Sequence, residues 1–260
     1  MTAQPGAGTV RVTKAVVLAA GKGTRMGALT EDLPKPMLRV LGKPLLEHIL
    51  DRLGQAGVRE CGLITGYRHE VIERHFARYP MRIEFIHQQT IDGTAGAAKL
   101  ARGFAGNDPF LLTYGDIWCE PDDYRRVMQP IELEPGTEAT LAVKYVGDPF
   151  EGAAVYVAGG FIRKIVEKPP KGTSATNWNS AGIYCFRPRV FEQIDRVPLS
   201  PRGEYEITSV FEQMIEVGQK LRAVEIQGSW RDIGRPEDLR WAGSSAPHQT
   251  APPPEGTPGS

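Results

Sequence analysis

Cysteine is scarce in this 260-residue chain, with Cys61, Cys119 and Cys185 odd in number, widely spaced and without a C-x-x-C pair. That usage argues against a disulfide framework and reads as reduced core thiols in a cytoplasmic enzyme. No run comes near the ~18 consecutive apolar residues of a membrane span. Met1 to Thr9 lacks a basic segment followed by an apolar core, so no secretory signal is expected. Charge of either sign is not in excess: 31 Lys plus Arg balance 31 Asp plus Glu. A neutral balance argues against a protein that grips nucleic acid through phosphates, and no membrane partner is expected. No internal repeat is visible. What is present is ordinary globular material, 41% hydrophobic and 24% charged, which excludes a wholly disordered or collagen-like chain.

The ends differ from the middle. Residues 1–12 mix Gly, Pro, Thr and Ala without periodicity and are expected to be flexible. Residues 244–260 read SSAPHQTAPPPEGTPGS and have almost nothing to bury, so a disordered Pro-rich tail is expected. Residues 13–243 are left as a single domain. There Ala15–Ala20 is a continuous apolar run closed by glycine, which suits a strand buried on both faces. Leu45 to Ala56 has helical spacing and Gly57 ends it. Strands at Cys61–Thr65, Ile83–Ile86 and Phe110–Thr113 alternate with helices at Val71–Phe76 and Ala95–Ala101. This is the rhythm of βαβ units. After about residue 138 strands dominate: 139–145, 153–157, 161–166 and 182–186, then helices at 190–194 and 208–217 and closing strands at 221–226 and 229–233. The fold class is α/β: a Rossmann-like, mostly parallel mixed sheet flanked by helices, with antiparallel strands added in the second half. Ligands of such sheets sit beyond the carboxyl ends of the strands, here Gly21 onward, Gln88 onward and Asp116.

The first strand runs into Gly21-Lys-Gly23-Thr24-Arg25-Met26-Gly27. Glycines at a strand end let backbone N–H groups approach a phosphate. Two familiar phosphate loops fail here. A dinucleotide fingerprint needs glycine where Met26 stands, and a P-loop needs Lys-Ser/Thr where Ala28-Leu29 follow. What remains is a loop carrying Arg25, with Lys35 ten residues on and held between Pro34 and Pro36. Prolines stiffen the segment. Cations fixed beside a phosphate-sized cradle suit electrostatic stabilisation of a phosphoryl transfer.

Leu18-Ala19-Ala20-Gly-Lys-Gly-Thr-Arg-Met26 followed by Leu33-Pro-Lys-Pro-Met37 resembles the head of the sugar-1-phosphate nucleotidyltransferases, the nucleoside-diphosphate-sugar pyrophosphorylases. The resemblance extends in order through most of residues 14–242. It implies the nucleotide-diphospho-sugar transferase type of fold and a nucleotide site on Ala19, Ala20, Gly21, Gly23, Thr24 and Arg25. Gln88-Gln-Thr-Ile-Asp-Gly93-Thr94-Ala95 matches a base-binding segment of the family, which adds Gln88, Gly93 and Thr94. Leu112-Thr-Tyr114-Gly-Asp116 resembles the strand end whose aspartate binds Mg²⁺, and Trp230-Arg-Asp232-Ile-Gly-Arg-Pro-Glu-Asp-Leu239 supplies Asp232 as the second ligand. Carboxylates are apt hard-oxygen donors for that ion. Tyr114 is also similar to the cytidylyl-transferring branch. Glu167 and Lys168 resemble an E-K-P segment on the sugar and its phosphate. Gly152, Asn179 and Gly182 match sugar-pocket segments, although Glu151 departs from the pattern beside Gly152. Arg202 and Glu204 match R-G-E-x-E-I-T, with Arg202 joining Lys168 on the phosphate.

The resemblance therefore implies transfer of a nucleotidyl group from an NTP to a sugar-1-phosphate. Mg²⁺ would lie on Asp116 and Asp232, and Arg25, Lys35 and Asp116 would be catalytic. Alternatives are an acceptor such as a cyclitol phosphate, phosphocholine or phosphonate, a non-catalytic sugar-nucleotide-binding module, or a nicotinamide oxidoreductase, which Met26 disfavours. No left-handed β-helix repeat is legible, which argues against a fused acyltransferase. Base, sugar and homo-oligomeric state stay open.

Overall fold

The computed structural model describes residues 10–245. The chain begins with β1 (Lys14–Ala19), 3-10 turns over Thr24–Thr30 and Lys35–Met37, and a hairpin of β2 (Arg39–Val40) and β3 (Lys43–Pro44). It continues through α1 (Leu45–Ala56), β4 (Glu60–Thr65), α2 (His69–Phe76), β5 (Arg82–His87), α3 (Thr94–Leu100) and α4 (Arg102–Ala105). Next come β6 (Phe110–Tyr114), β7 (Ile117–Cys119), α5 (Pro121–Leu133), β8 (Thr137–Tyr145), β9 (Ala153–Ala158) and β10 (Phe161–Glu167). The last elements are β11 (Trp178–Phe186), α6 (Val190–Ile194), α7 (Ile207–Glu216), β12 (Lys220–Glu225), β13 (Trp230–Asp232) and α8 (Pro236–Ser245).

Nine strands form one mixed sheet in the order β5-β4-β1-β6-β11-β8-β12-β10-β9. The first four are parallel, as the alternating pattern predicts. β11 then enters antiparallel to both β6 and β8. β12 returns parallel to β8, and β10 and β9 close the sheet antiparallel. The apolar run of β1 has two destinations, because successive side chains point to opposite faces. Ala15, Val17 and Ala19 join the core under α1, α2 and α5, whereas Val16 joins the core under α3, α6 and α7. Both faces are covered, so β1 needs no polar alternation.

Helix α1 has the predicted bounds, with Gly57 ending it at φ +106°. Helix α5 was not predicted. Pro130 lies inside it and charged residues dominate its outer face, yet buried Tyr124, Val127, Met128 and Ile131 keep the helical spacing. Its second residue pair matters for the site: the buried Asp123 carboxylate accepts the N–H groups of Gln227 and Gly228 at 3.0 and 2.8 Å. That anchors the turn leading into β13. Strand β11 starts four residues before its expected first residue and carries a bulge between Ser180 and Tyr184. Of the expected tail, residues 244 and 245 continue α8, and the rest lies outside the described residues. Among the described residues, no helix is long and apolar enough to cross a membrane.

Cys61, Cys119 and Cys185 are unpaired and buried. Desolvation pushes the Cys61 thiol up to about 12 and raises the other two as well. Reactivity requires an accessible thiolate. The native protein is therefore expected to take up essentially no thiol reagent at pH 8, and three equivalents once denaturant is added. Rapid native labelling of any one cysteine contradicts this burial.

Candidate active site

Every residue the sequence marks as a site residue lines one cleft of about 1220 Å³ that starts at the carboxyl ends of β1, β5 and β6 and extends to β9, β10 and β11. Glycine makes its first wall. Gly23 adopts φ +69°, and a Cβ there would stand 2.6 Å from Cβ of Lys35. Met26, at the place where a dinucleotide fingerprint has glycine, is buried in the core and ties the loop down. The Thr30 hydroxyl donates to the carbonyls of Gly23 and Gly27 at 3.1 and 3.2 Å. Lys35 opens the second 3-10 turn between its prolines and is only 6% exposed.

Lys35 reaches the two expected metal ligands. Its Nζ lies 2.5 Å from Asp116 Oδ2 and 3.9 Å from Asp232 Oδ1. The approach of the two aspartates is made by backbone. β13 pairs antiparallel with β7, setting Asp232 opposite Ile117, and the Ile233 N–H donates to the Asp116 carbonyl at 2.9 Å. Desolvation in the cleft, and after it the Asp116 charge, hold the Asp232 carboxyl above its usual range against the pull of Lys35 and Arg25. Arg25 lies close to Asp232 and Gly234. Among the described residues no three His, Cys, Asp or Glu side chains group as a metal cluster. Two hard-oxygen carboxylates already drawing one cation between them nevertheless fit Mg²⁺, which takes one or two carboxylates and completes its shell with substrate phosphates and water.

The segment after Asp232 is fixed by a residue the sequence analysis passed over. Asp238, 7% exposed, accepts the N–H groups of Gly234 and Arg235 at 3.0 and 2.8 Å and pairs with Arg231 at 2.7 Å. An acid in the first turn after Pro236, reaching back to the residue before the helix, is the signal that could have found it.

The expected base loop leaves β5. Gln88 is 5% exposed, and its side-chain amide donates to Asp92 Oδ1 at 3.1 Å. Gly93 has φ +116° with the Tyr205 backbone close against it. Thr94 does not cap its own helix. Its hydroxyl accepts the N–H of Ile207, the first residue of α7, at 2.9 Å.

Opposite lies the expected acceptor wall. Asn179 Oδ1 is buried without a hydrogen-bond partner, and a Cβ on Gly152 would stand 2.2 Å from it. Glycine at 152 thus leaves that acceptor atom free. Gly182, at φ +72° in the β11 bulge, gives the Tyr114 ring its place, since a Cβ would approach that ring to 2.9 Å. Tyr114, Tyr184 and Ser180 form a chain of hydroxyls at 3.4 and 3.2 Å. Lys168 is exposed with a left-handed φ of +41°, and its N–H is held by the Gly152 carbonyl at 2.7 Å. Glu151, the departure beside Gly152, is exposed at the cleft and pairs there with Arg235 at 3.4 Å. Arg202 meets Glu167 at 3.4 Å, Glu204 at 3.5 Å and Glu206 at 2.9 Å. Glu204 is exposed, whereas Glu206, which was given no role, is buried. Desolvation, with the Glu206 charge second, raises the Glu167 carboxyl. The cleft thus gathers Arg25, Lys35, Asp116 and Asp232 on one side and Glu167, Lys168, Asn179 and Arg202 on the other.

Comparison with known proteins agrees with this arrangement. A family model described as Nucleotidyl transferase matches residues 14–248. The Bifunctional protein GlmU of Methanocaldococcus jannaschii is 36% identical over 226 residues, covering 86% of this chain and 52% of that protein. The Mannose-1-phosphate guanylyltransferase catalytic subunit beta of Drosophila melanogaster is 34% identical over 234 residues, covering 87% of this chain and 61% of that protein. The chain spans about half the length of the first relative and about three fifths of the second. Among solved structures, a putative glucose-1-phosphate thymidylyltransferase from Bacillus anthracis superposes with a TM-score of 0.80 at 27% identity, over 89% of this chain and 94% of that one. A UDP-glucose pyrophosphorylase complexed with UDP-glucose shares the fold, with a TM-score of 0.82 at 21% identity over 90% of this chain and 98% of the other. A match running from the first residue of β1 through α8, with every expected motif opening into one cleft, makes this chain a member of the nucleotidyl transferase family.

Proposed function

We propose that the protein transfers a nucleotidyl group from an NTP to a sugar-1-phosphate, giving an NDP-sugar and pyrophosphate. The observation that carries this reading is Lys35 standing between Asp116 and Asp232, with Arg25 beside them and Lys168 and Arg202 across the cleft. The orphaned Asn179 Oδ1 and the hydroxyl chain ending at Tyr114 favour a polyhydroxylated acceptor. The family relationship and the names of the relatives, which act on mannose-1-phosphate or glucose-1-phosphate, support the same class.

A phosphate oxygen of the acceptor attacks the α-phosphorus of the NTP in line. The bond from the α-phosphorus to its β-bridging oxygen breaks as the new P–O bond forms, and pyrophosphate carries away the charge. Lys35 and Arg25 meet that charge with preorganised cations. Lys168 and Arg202 aim the attacking phosphate, which is catalysis by positioning. Gln88 and the 93–94 backbone border the space for the base. Mg²⁺ held by Asp116 and Asp232 would supply charge neutralisation of the phosphates. No protein nucleophile is required. A matrix of NTPs against sugar-1-phosphates and non-sugar phosphates, read by pyrophosphate release, tests the reading. Turnover confined to a non-sugar phosphate, or none at all, defeats it.

Arg25→Ala and Lys35→Ala should each lower kcat by roughly two or more orders of magnitude, the scale of one lost charge-stabilising contact. A fully active Arg25→Ala enzyme would move the pyrophosphate side away from the glycine loop. Asp116→Asn and Asp232→Asn should stay folded, need far more Mg²⁺, and fail in both synthesis and pyrophosphorolysis. If the two share one ion, the double variant is little worse than the worse single one. Calorimetric titration of Mg²⁺ in the presence of NTP checks this, and wild-type affinity in either variant sinks the shared-ion model.

A further inference from the structure

Two loops from distant parts of the chain are laced together beside the cleft. Tyr205 N–H donates to the Asp92 carbonyl at 2.8 Å, and Ala95 N–H donates to the Tyr205 carbonyl at 2.8 Å. Gly93 lies between these bonds, where a Cβ would come within 2.4 Å of the Tyr205 oxygen and 2.6 Å of its nitrogen. A third bond, from Ile207 N–H to the Thr94 hydroxyl at 2.9 Å, completes the lacing.

The third bond solves a problem at the start of α7. The first N–H groups of a helix have no partner within it and need an acceptor from outside. Glu206 holds the N-cap position with extended backbone, but its side chain makes no cap. Its carboxylate is turned instead to Arg202 Nε at 2.9 Å. A side-chain cap from Glu206 would serve the N–H groups of Thr208 or Ser209, and the Ser209 N–H already donates to the Glu206 carbonyl at 3.2 Å, which leaves the Ile207 N–H in need of a partner. Thr94 supplies the missing acceptor from another part of the chain.

We infer that Thr94 is a positioning residue for Arg202: by accepting the Ile207 N–H it holds the start of α7, and with it the neighbouring Glu206, whose carboxylate orients the guanidinium that meets the acceptor phosphate. This rests on the proposed role of Arg202 and gives the Thr94 hydroxyl a duty toward the acceptor while the backbone at 94 still borders the base. The path is short, from the Thr94 hydroxyl to the Ile207 N–H, then to the neighbouring Glu206 carboxylate and Arg202. It also joins the loop that borders the base to the turn that holds the acceptor, so the two substrates share one support.

The test compares wild type, Thr94→Val, Thr94→Ser and Arg202→Ala, using the NTP and sugar-1-phosphate that turn over fastest in the matrix assay. NTP affinity is measured calorimetrically without acceptor, and KM for the acceptor is measured by pyrophosphate release. Thr94→Val keeps the shape but strands a buried N–H, so the acceptor KM should rise about tenfold or more. Any loss of NTP affinity should be several-fold smaller than the rise in acceptor KM, because the path from the hydroxyl to Arg202 does not pass through the nucleotide. Thr94→Ser should restore the wild-type KM, and Arg202→Ala should raise it without a further rise when Thr94→Val is added. If the valine variant does not fold, Thr94→Ala is read by the same criteria. Loss of NTP affinity with an unchanged acceptor KM would place the hydroxyl on the base side and overturn the inference. Equal defects in the serine and valine variants would also overturn it. An Arg202→Ala enzyme with an unchanged acceptor KM would remove the reading of Arg202, and the inference with it. A raised KM in Arg202→Ala but not in Thr94→Val would remove the inference alone.

Discussion

Two carboxylates pressed together in a partly desolvated cleft need a cation or a shared proton between them, and this constraint organises the site. Like charges a few ångströms apart repel strongly once water is thinned around them. Here the pairing of β13 with β7 brings Asp232 beside Asp116, and the Lys35 ammonium offsets the repulsion. The surroundings of Lys35 then follow from the need to hold it. Pro34 and Pro36 restrict its backbone, and Gly23 gives up a side chain so that Lys35 can pack beneath the glycine loop. Asp238 and Asp123 play a matching part on the other strand by anchoring the segments after and before Asp232.

The two halves of the sheet divide the labour. The parallel strands end at the glycine loop, the Gln88 loop and Asp116, all on the proposed nucleotide side. The antiparallel additions bring Glu167, Asn179 and Gly182 to the proposed acceptor side. The halves join where β11 pairs with β6, and there the β11 bulge admits the Tyr114 ring over Gly182.

Much of this was legible from the sequence, for identifiable reasons. Buried strands such as β1 announce themselves as apolar runs, and α1 carries both a clear period and a glycine stop. Motifs written in consecutive residues, 21–27 and 112–116, brought Gly21, Gly23, Thr24, Arg25, Tyr114 and Asp116 to the cleft. Elements that depend on tertiary support did not read. β7 is three residues long and exists through its partner β13, and α5 hides a helical stripe behind Pro130 and a charged exterior. Thr94 shows the same limit at one residue. Its position beside Gly93 suggested the base, but its hydrogen-bond partner is the backbone of Ile207, more than a hundred positions away. The glutamates around Arg202 likewise looked alike in sequence, and only packing separates exposed Glu204 from buried Glu206.

The β7–β13 ribbon has a consequence for the birth of the molecule on the ribosome. Domains tend to fold as their chain emerges, N-terminal portions first. The glycine loop, Lys35 and Asp116 all leave the exit tunnel with the parallel half of the sheet. Asp232 and its support, Asp238, follow more than a hundred residues later. A nascent chain can therefore be well advanced as architecture while still mute as chemistry. Its competence arrives with the final short strand, and a chain abandoned before that point carries half of a charged cleft without the means to use it.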